Sequence, residues 1–189
     1  MSEGMAVESA RRRFTGKRAD TVLKLSRATL EVLREVGYQA LTLQAVASKA
    51  GLARATAYTY FASKEHLVAE VYWRRLSGQE LPLDSRDNIE RVVAVLRHLA
   101  LLVADEPAFA QAIRVTMNST DPDVEQLRLQ IGRYIHDLIA TALGDTADRD
   151  TVVILELIYT GAMVRAGTGG VSYQHVADQL ETAARRILR

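Results

Sequence analysis

The chain has 189 residues, of which 48% are hydrophobic and 6% aromatic, with 24 Lys and Arg against 23 Asp and Glu. It contains no cysteine, which excludes a disulfide framework and any zinc site built on thiolates. No apolar run reaches about 18 residues, and the polar N-terminus lacks the apolar core of a signal peptide, so we expect a cytoplasmic protein without a membrane span.

Charge is divided unevenly along the chain. Residues 1–80 hold 13 Lys and Arg against 8 Asp and Glu, whereas residues 81–189 hold 11 against 15. The net charge of +1 therefore divides into +5 and −4, and all four lysines lie in the first part. A basic front half suggests a local surface for a polyanion such as nucleic acid, and the alternative is a fluctuation in solvated surface charge.

The chain begins with a basic segment and a first helix. Residues 1–19 predict a disordered arm that either enters a minor groove of DNA or remains a solvated tail. A helix then runs from Asp20, its predicted N-cap, to Gly37, because apolar residues recur at helical spacing between them. The charge of the arm comes from Arg11, Arg12, Arg13, Lys17 and Arg18.

Three shorter helices follow. Thr42 predicts the cap of the second helix and Gly51 its end. A third covers about residues 54–61, and Ser63 predicts the cap of a fourth that ends near residue 78. The turn between the second and third helices has three or four residues and a glycine, which is the layout of a helix-turn-helix. Helices this short require tertiary packing, so we expect their apolar residues to contact the first helix.

The remainder of the chain also predicts helices. Pro107 ends an amphipathic helix, and Asp121 with Pro122 forms a cap and first-turn pair for a long one. Residues 148–167 are apolar nearly all round, so we expect them to be buried on more than one side. Residues 167–170 predict a loop. The whole pattern predicts an all-α fold of about nine helices.

The segment "EVGYQALTLQAVASKAGLARATAYTYFASKEHL", residues 35–67, resembles the N-terminal DNA-binding segment of TetR-type bacterial transcriptional regulators. The shared features are Gly37-Tyr38 after the first helix, Thr42 before the second, Ala50-Gly51 at the turn, the Tyr58-x-Tyr60-Phe61 end of the third and Lys64-Glu65 opening the fourth. About 45 residues carry the resemblance, whereas the C-terminal part matches only in length and helical pattern.

The resemblance implies a domain organisation and partners. It implies a helix-turn-helix DNA-binding domain over residues 20–66 and a helical ligand-binding and dimerisation domain over residues 67–189. It also implies a homodimer, a palindromic DNA operator and, usually, a small-molecule effector.

Two residues depart from the family pattern. Ser often stands at the position of Ala53, and Gly at that of Ala55. Ala53 cannot cap the third helix, which costs about 1 kcal/mol unless another group substitutes. Ala55 places a methyl group where the backbone often approaches DNA, and it can instead touch a thymine methyl group. These changes concern the operator rather than the fold.

The third helix carries the predicted reading face. Ala57 and Phe61 are four residues apart and define its buried stripe, which leaves its hydroxyls, two rings and Arg54 for the base edges of a major groove. Side chains near the N-termini of the second and fourth helices are predicted phosphate contacts. The alternatives are that Tyr58 and Tyr60 are half-buried packing residues and that Lys64 is an ordinary surface residue. The predicted DNA-binding residues are Thr42, Gln44, Arg54, Ala55, Thr56, Tyr58, Thr59, Tyr60 and Lys64.

The C-terminal part supplies candidate ligand-binding and interface residues. The ligand candidates lie where apolar and polar residues mix. The alternatives are plain core positions for Met117 and Met163 and solvated positions for His98 and Arg114. A mostly aliphatic cavity suits an apolar or acyl-type ligand. The ligand candidates are Trp73, His98, Arg114, Met117, Tyr134, Tyr159 and Met163. The resemblance implies a four-helix dimer interface from the last two helices, with Leu155, Gly161, Ala162, Ala166, Leu180, Ala184 and Ile187.

Catalysis and cofactor binding are not predicted. The four histidines are far apart in sequence, none belongs to a His-Glu-x-x-His pattern, and no Gly-x-Gly-x-x-Gly follows a strand. The predicted function is a ligand-responsive DNA-binding regulator, most simply a repressor. The alternatives are a helical small-molecule-binding protein or enzyme whose front helices only cap the bundle, and a nonspecific DNA-compacting protein, which would need basic charge throughout.

Overall fold

The chain folds into α-helices joined by short turns. The computed structural model describes residues 2–79, 83, 85, 87–168 and 170–189, with side chains from residue 17 onward. The all-α fold predicted from the sequence is confirmed over this part of the chain. Its elements are α1 (Ser2–Ala40), α2 (Leu43–Lys49), α3 (Arg54–Tyr60), α4 (Lys64–Ser77), α5 (Asn88–Leu101), α6 (Pro107–Thr116), α7 (Pro122–Leu143), a 3-10 turn (Gly144–Thr146), α8 (Arg149–Gly167) and α9 (Tyr173–Ile187).

The caps of the front helices follow the predictions. The side chain of Thr42 accepts the Ala45 N–H at 3.1 Å, and Ser63 Oγ accepts the His66 N–H at 2.9 Å. Ala53 gives α3 no side-chain cap. Two of the three short front helices, α2 and α4, therefore begin at a side-chain cap that the sequence predicts.

The start of α1 differs from the prediction. Residues 2–19 belong to the helix instead of forming a disordered arm, and Asp20 lies inside α1 rather than at its N-cap. The segment contains Ala, Glu and Arg, all strong helix formers, and no proline, so a helix that packs after residue 20 can extend toward the N-terminus. Gly37 interrupts α1 as predicted, with φ of 71° and ψ of 175°.

The middle of the chain contains a second difference. Pro107 is the first residue of α6 rather than the end of α5, which already stops at Leu101. Proline is favoured at this position because the missing N–H has no helical partner there. Asp121 caps α7 as predicted, and its Oδ1 accepts the Asp123 N–H at 2.9 Å.

The core is shared between the front helices and the C-terminal bundle. Helices α2 and α3 pack against each other and α2 packs on α1, while α4 contacts α1, α6 and α7. In the C-terminal part, α5 packs along α9 and α7, and α8 packs on α7 and α9. The predicted domain division at residue 66 falls inside α4 and stays a prediction. Within the described residues, no helix combines the length and apolarity needed to cross a bilayer.

Helix α8 is buried on one side only within the chain. Leu155 and Ala166 face the core, and so do Leu180 and Ala184 of α9. These four predicted interface residues have almost no accessible surface within the chain, and their part in a dimer interface stays a prediction. Hydrophobic spacing predicts that these segments are helices, but it does not predict which apolar face of a helix the chain itself covers. The exposed apolar face of α8 is instead made by Val153, Ile154, Leu157 and Val164.

Candidate nucleic-acid interface

A glycine turn sets α3 against α2. Gly51 has φ of 68°, a conformation that side chains other than glycine rarely adopt. The turn is closed by the Leu52 N–H, which donates to the Ala47 carbonyl at 2.9 Å. The turn therefore places α3 against α2, which packs on α1, with one side of α3 exposed.

Helix α3 buries the stripe that its sequence predicts. Ala57 is fully buried and Phe61, directly after the helix, is 3% exposed. The opposite side is a continuous exposed surface, and the remaining two residues, Thr56 and Tyr60, are half-buried. Its exposed residues are Arg54, Ala55, Tyr58 and Thr59.

Two exposed residues of α3 form a stacked pair. The guanidinium carbon of Arg54 lies 5.3 Å from the centroid of the Tyr58 ring, within the range of a cation–π contact. The pair has the four-residue spacing that brings side chains together on a helix face. Stacking restricts the guanidinium while leaving its N–H edge available for a guanine or a phosphate.

Thr59 bonds to its own helix. Its hydroxyl donates to the Ala55 carbonyl at 2.9 Å. The proton is therefore used inside α3, and the residue offers DNA a methyl group and an oxygen acceptor. Together with the exposed Ala55 methyl group, this makes a small apolar area beside Arg54.

Tyr60 combines a ring packed on the core with a position near a cationic side chain. Its ring is half-buried against the core, 6.5 Å from the Phe61 ring. The guanidinium carbon of Arg18, a residue of α1, lies 5.8 Å from the centroid of the Tyr60 ring. Arg18 and Lys17 are exposed, whereas the side chains of Arg11, Arg12 and Arg13 lie outside the described residues.

The three predicted phosphate contacts differ in whether their side chains already have partners within the chain. Thr42 accepts a backbone N–H at the start of α2, so its hydroxyl proton remains available, and Gln44 is exposed in the first turn. Lys64 is already engaged, since its Nζ donates to the Tyr38 carbonyl at 3.1 Å and lies 4.5 Å from the Tyr38 ring centroid. Lys64 thereby ties α4 to the interrupted end of α1. Its contact with a phosphate stays a prediction.

Two side-chain contacts made by residues of α1 are not predicted from the sequence. The Tyr38 hydroxyl donates to Glu65 at 2.8 Å, and burial raises the pKa of Tyr38. Lys49 Nζ lies 2.5 Å from Glu35, and this hydrogen bond raises the pKa of Lys49. Because Lys49 is paired, it contributes less to a positive surface than the count of lysines suggests.

The N-termini of α6 and α7 contact the front helices. Ser63, the cap of α4, donates to Asp121, the cap of α7, at 2.6 Å, and this bond lowers the pKa of Asp121. Arg34 of α1 pairs through two N–H groups with Glu106 at the start of α6 and lowers the pKa of Glu106. Both links join residues more than 50 positions apart in sequence.

The predicted ligand residues do not form one group. Trp73 and Tyr134 meet edge to face at 5.3 Å, and Met117 packs on the same small cluster as Trp73. Tyr159 is buried, and burial raises the pKa of Tyr159 well above its ordinary value.

The other three ligand candidates lie apart from these. Met163 is half-buried. His98 is half-buried, burial lowers its pKa, and its Nε2 has no hydrogen-bond partner among the described residues. Arg114 is exposed and lies against Gly167.

The front helices match a protein-family model. The model for bacterial regulatory proteins of the tetR family matches residues 25–71, which run from the second half of α1 into α4. An uncharacterised HTH-type transcriptional regulator of Mycobacterium tuberculosis is 43% identical over 165 residues, covering 85% of this chain and 76% of the relative.

Two solved structures share the fold. A TetR transcriptional regulator from Rhodococcus sp. RHA1 superposes with a TM-score of 0.73 at 20% identity, covering 92% of this chain and 97% of that chain. Thermus thermophilus FadR, a TetR family transcriptional repressor in complex with lauroyl-CoA, superposes with a TM-score of 0.68 at 22% identity, covering 88% and 93%.

Proposed function

The chain belongs to the TetR family of bacterial transcriptional regulators, and from this premise we propose that it is a cytoplasmic repressor that binds a palindromic operator as a homodimer and is released by a small-molecule effector. Regulation of transcription, rather than catalysis, is the function of this class.

DNA reading by α3 is supported by its exposed face. Arg54, Ala55, Tyr58 and Thr59 offer a cation, a methyl group, a ring and a hydroxyl oxygen on one side of a helix whose other side is buried. Base edges in a major groove present acceptors, donors and the thymine methyl group, which this set can meet. The exposed, uncapped helix after a glycine turn is the observation that carries the proposal.

Dimerisation is supported by the unpartnered face of α8. Ile154, Leu157, Gly161 and Val164 are all exposed and follow each other at spacings of three, four and three residues. This is the spacing of a seam between two helices. Large apolar side chains aligned on a surface mark an interaction site, and Gly161 permits close approach of a second helix. A symmetric dimer would place α8 of one protomer against α8 of its partner.

An effector with an apolar portion is supported by composition and by the fold. The C-terminal helices are largely aliphatic, with the Trp73–Tyr134 pair as a local exception. The T. thermophilus repressor of the same fold binds lauroyl-CoA. We extend to this chain only the chemical class, an acyl-type ligand, which weakens DNA binding by its differential affinity for two states of the dimer.

The test is a gel-shift titration with DNA from around the protein's own coding region. We expect retardation that survives excess unrelated DNA and weakens steeply with salt, since phosphate contacts release counterions. Equal competition by unrelated DNA, or no retardation, contradicts the proposal. Adding acyl-CoA thioesters of different chain length to the retarded complex tests release.

A further inference from the structure

A cavity of about 250 Å³ lies where α6, the end of α8 and the start of α9 meet. Part of its wall is apolar and comes from Pro107, Ala110 and Ala166. The polar part comes from Gln111, Arg114 and Tyr173, each of which carries a hydrogen-bond donor. The described residues that line the cavity include no carboxylate.

The Arg114 side chain packs against a glycine. A Cβ built on Gly167 would lie 2.8 Å from Arg114 Cδ and 3.2 Å from its Nη1. The arginine side chain therefore lies directly on the backbone at the end of α8, in space that any other residue would fill. Arg114 makes no ion pair with a carboxylate in the part of the chain that the structure describes.

Tyr173 lies close enough to Arg114 to be affected by its charge. Burial raises the pKa of the Tyr173 hydroxyl, and the positive charge of Arg114 opposes this by lowering it. A positive charge and a hydroxyl donor thus face one cavity from two different helices. Donors without a competing carboxylate are the arrangement that binds anionic oxygens.

We propose that this cavity binds the anionic group of the effector, a carboxylate or a phosphate, with Arg114 as its main donor. The inference rests on the proposed function, in which an effector controls DNA binding. Ligand pockets usually measure about 300–1,000 Å³, so this smaller cavity takes the anionic end of a ligand rather than a whole acyl-CoA.

Helix α6 links this cavity to the DNA-binding part. Arg114 lies in its last turn, while Glu106 at its start holds Arg34 of α1 through two hydrogen bonds. An anion that draws Arg114 and Tyr173 together acts on the same rigid helix that contacts α1. The site is therefore placed to bias the position of the helix-turn-helix.

The test measures binding of two probes to the full chain without DNA. Octanoate supplies a carboxylate and coenzyme A supplies phosphates, and isothermal titration calorimetry gives the affinity of each. We expect at least one probe to bind and Arg114→Gln to weaken that probe by about tenfold or more, since a hydrogen bond to a charged group is lost. Arg133→Gln, the same change at an exposed arginine of α7, should leave the affinity unchanged.

Gly167→Ala provides a second variant. The added methyl group should displace the Arg114 guanidinium and weaken the same probe, while thermal unfolding monitors the fold. Octanoate alone or coenzyme A alone identifies the source of the anion. Equal affinity of wild type and Arg114→Gln, or no binding of either probe at millimolar concentration, overturns the inference. Because DNA is absent, this result is independent of the gel shift that tests operator binding.

Discussion

At the scale of single residues, the pair of Arg54 and Tyr58 is the clearest candidate for sequence reading. Their stacking lies on the exposed face of α3, with 48% of Tyr58 accessible. We expect Arg54→Ala to lower specific operator affinity by about 1–3 kcal/mol and to relax preference at one base pair, because an arginine reads a guanine through two hydrogen bonds. Fluorescence anisotropy with the operator and single-base variants measures both effects.

Substitutions of Tyr58 distinguish the contribution of its ring, which stacks on Arg54, from that of its hydroxyl group. Tyr58→Phe keeps the ring under Arg54 and should retain base preference, whereas Tyr58→Ala should reduce it as Arg54→Ala does. If Arg54→Ala binds the operator as tightly as wild type, Arg54 is not part of the reading face.

Ala53 gives a second prediction at the residue scale. It occupies the N-cap of α3 with φ of −65° and ψ of 144°, a backbone shape that a capping serine also adopts. Ala53→Ser should therefore raise the free energy of unfolding by about 1 kcal/mol, measured by urea denaturation. Ala55→Ser makes the same chemical change inside the helix and should give no gain. A stabilisation equal in both variants would contradict capping as the cause.

At the scale of helices, the Ser63 hydroxyl both accepts and donates a hydrogen bond. It caps α4 and donates to Asp121, the cap of α7. Ser172 caps α9 in the same way, accepting the His175 N–H at 3.1 Å, and so serves as a matched control. We expect Ser63→Ala to lower the free energy of unfolding by about 2 kcal/mol or more and Ser172→Ala by about 1 kcal/mol, the excess being the bond to a charged acceptor. Equal losses would show that the bond to Asp121 adds no stability.

The same contact predicts a pH dependence. The hydrogen bond from Ser63 is the largest cause that lowers the pKa of Asp121 in the folded state. The stability it contributes is therefore complete above the ordinary Asp pKa of about 3.9 and is lost as pH falls through the lower folded value. The stability difference between wild type and Asp121→Asn should be constant near neutral pH and shrink below about pH 4. In the Ser63→Ala background this pH-dependent part should be smaller.

The helices and caps could be predicted from the sequence because their causes are local. Thr42, Ser63 and Asp121 each bond to a backbone group within three residues. The links Ser63–Asp121 and Arg34–Glu106 could not be predicted, since periodicity shows that a face is buried or exposed without showing which helix covers it. For the same reason four of the six α3 residues predicted to read DNA are exposed while Thr56 and Tyr60 are half-buried, and four of the predicted interface residues lie in the core.

At the scale of the whole molecule, two surfaces carry the proposed function. The proposed reading face lies on α3. The exposed residues proposed as the dimer seam, Ile154, Leu157, Gly161 and Val164, lie on α8 in the C-terminal part of the chain. Two operator half-sites one helical turn apart, about 34–36 Å, can be read together only if a partner holds two copies of α3 at that distance. Operator affinity should therefore depend on the seam as much as on α3.

Leu157→Glu tests this dependence. Leu157 is 67% exposed at the centre of the seam, so a carboxylate there leaves the monomer fold intact but places two like charges across a symmetric interface. We expect analytical ultracentrifugation to show monomers, and operator affinity to fall because the two heads no longer bind as one unit. Leu129→Glu is the matched control, since Leu129 of α7 is 62% exposed and lies outside the seam. A dimer that survives Leu157→Glu with unchanged operator affinity would place the interface elsewhere on the molecule.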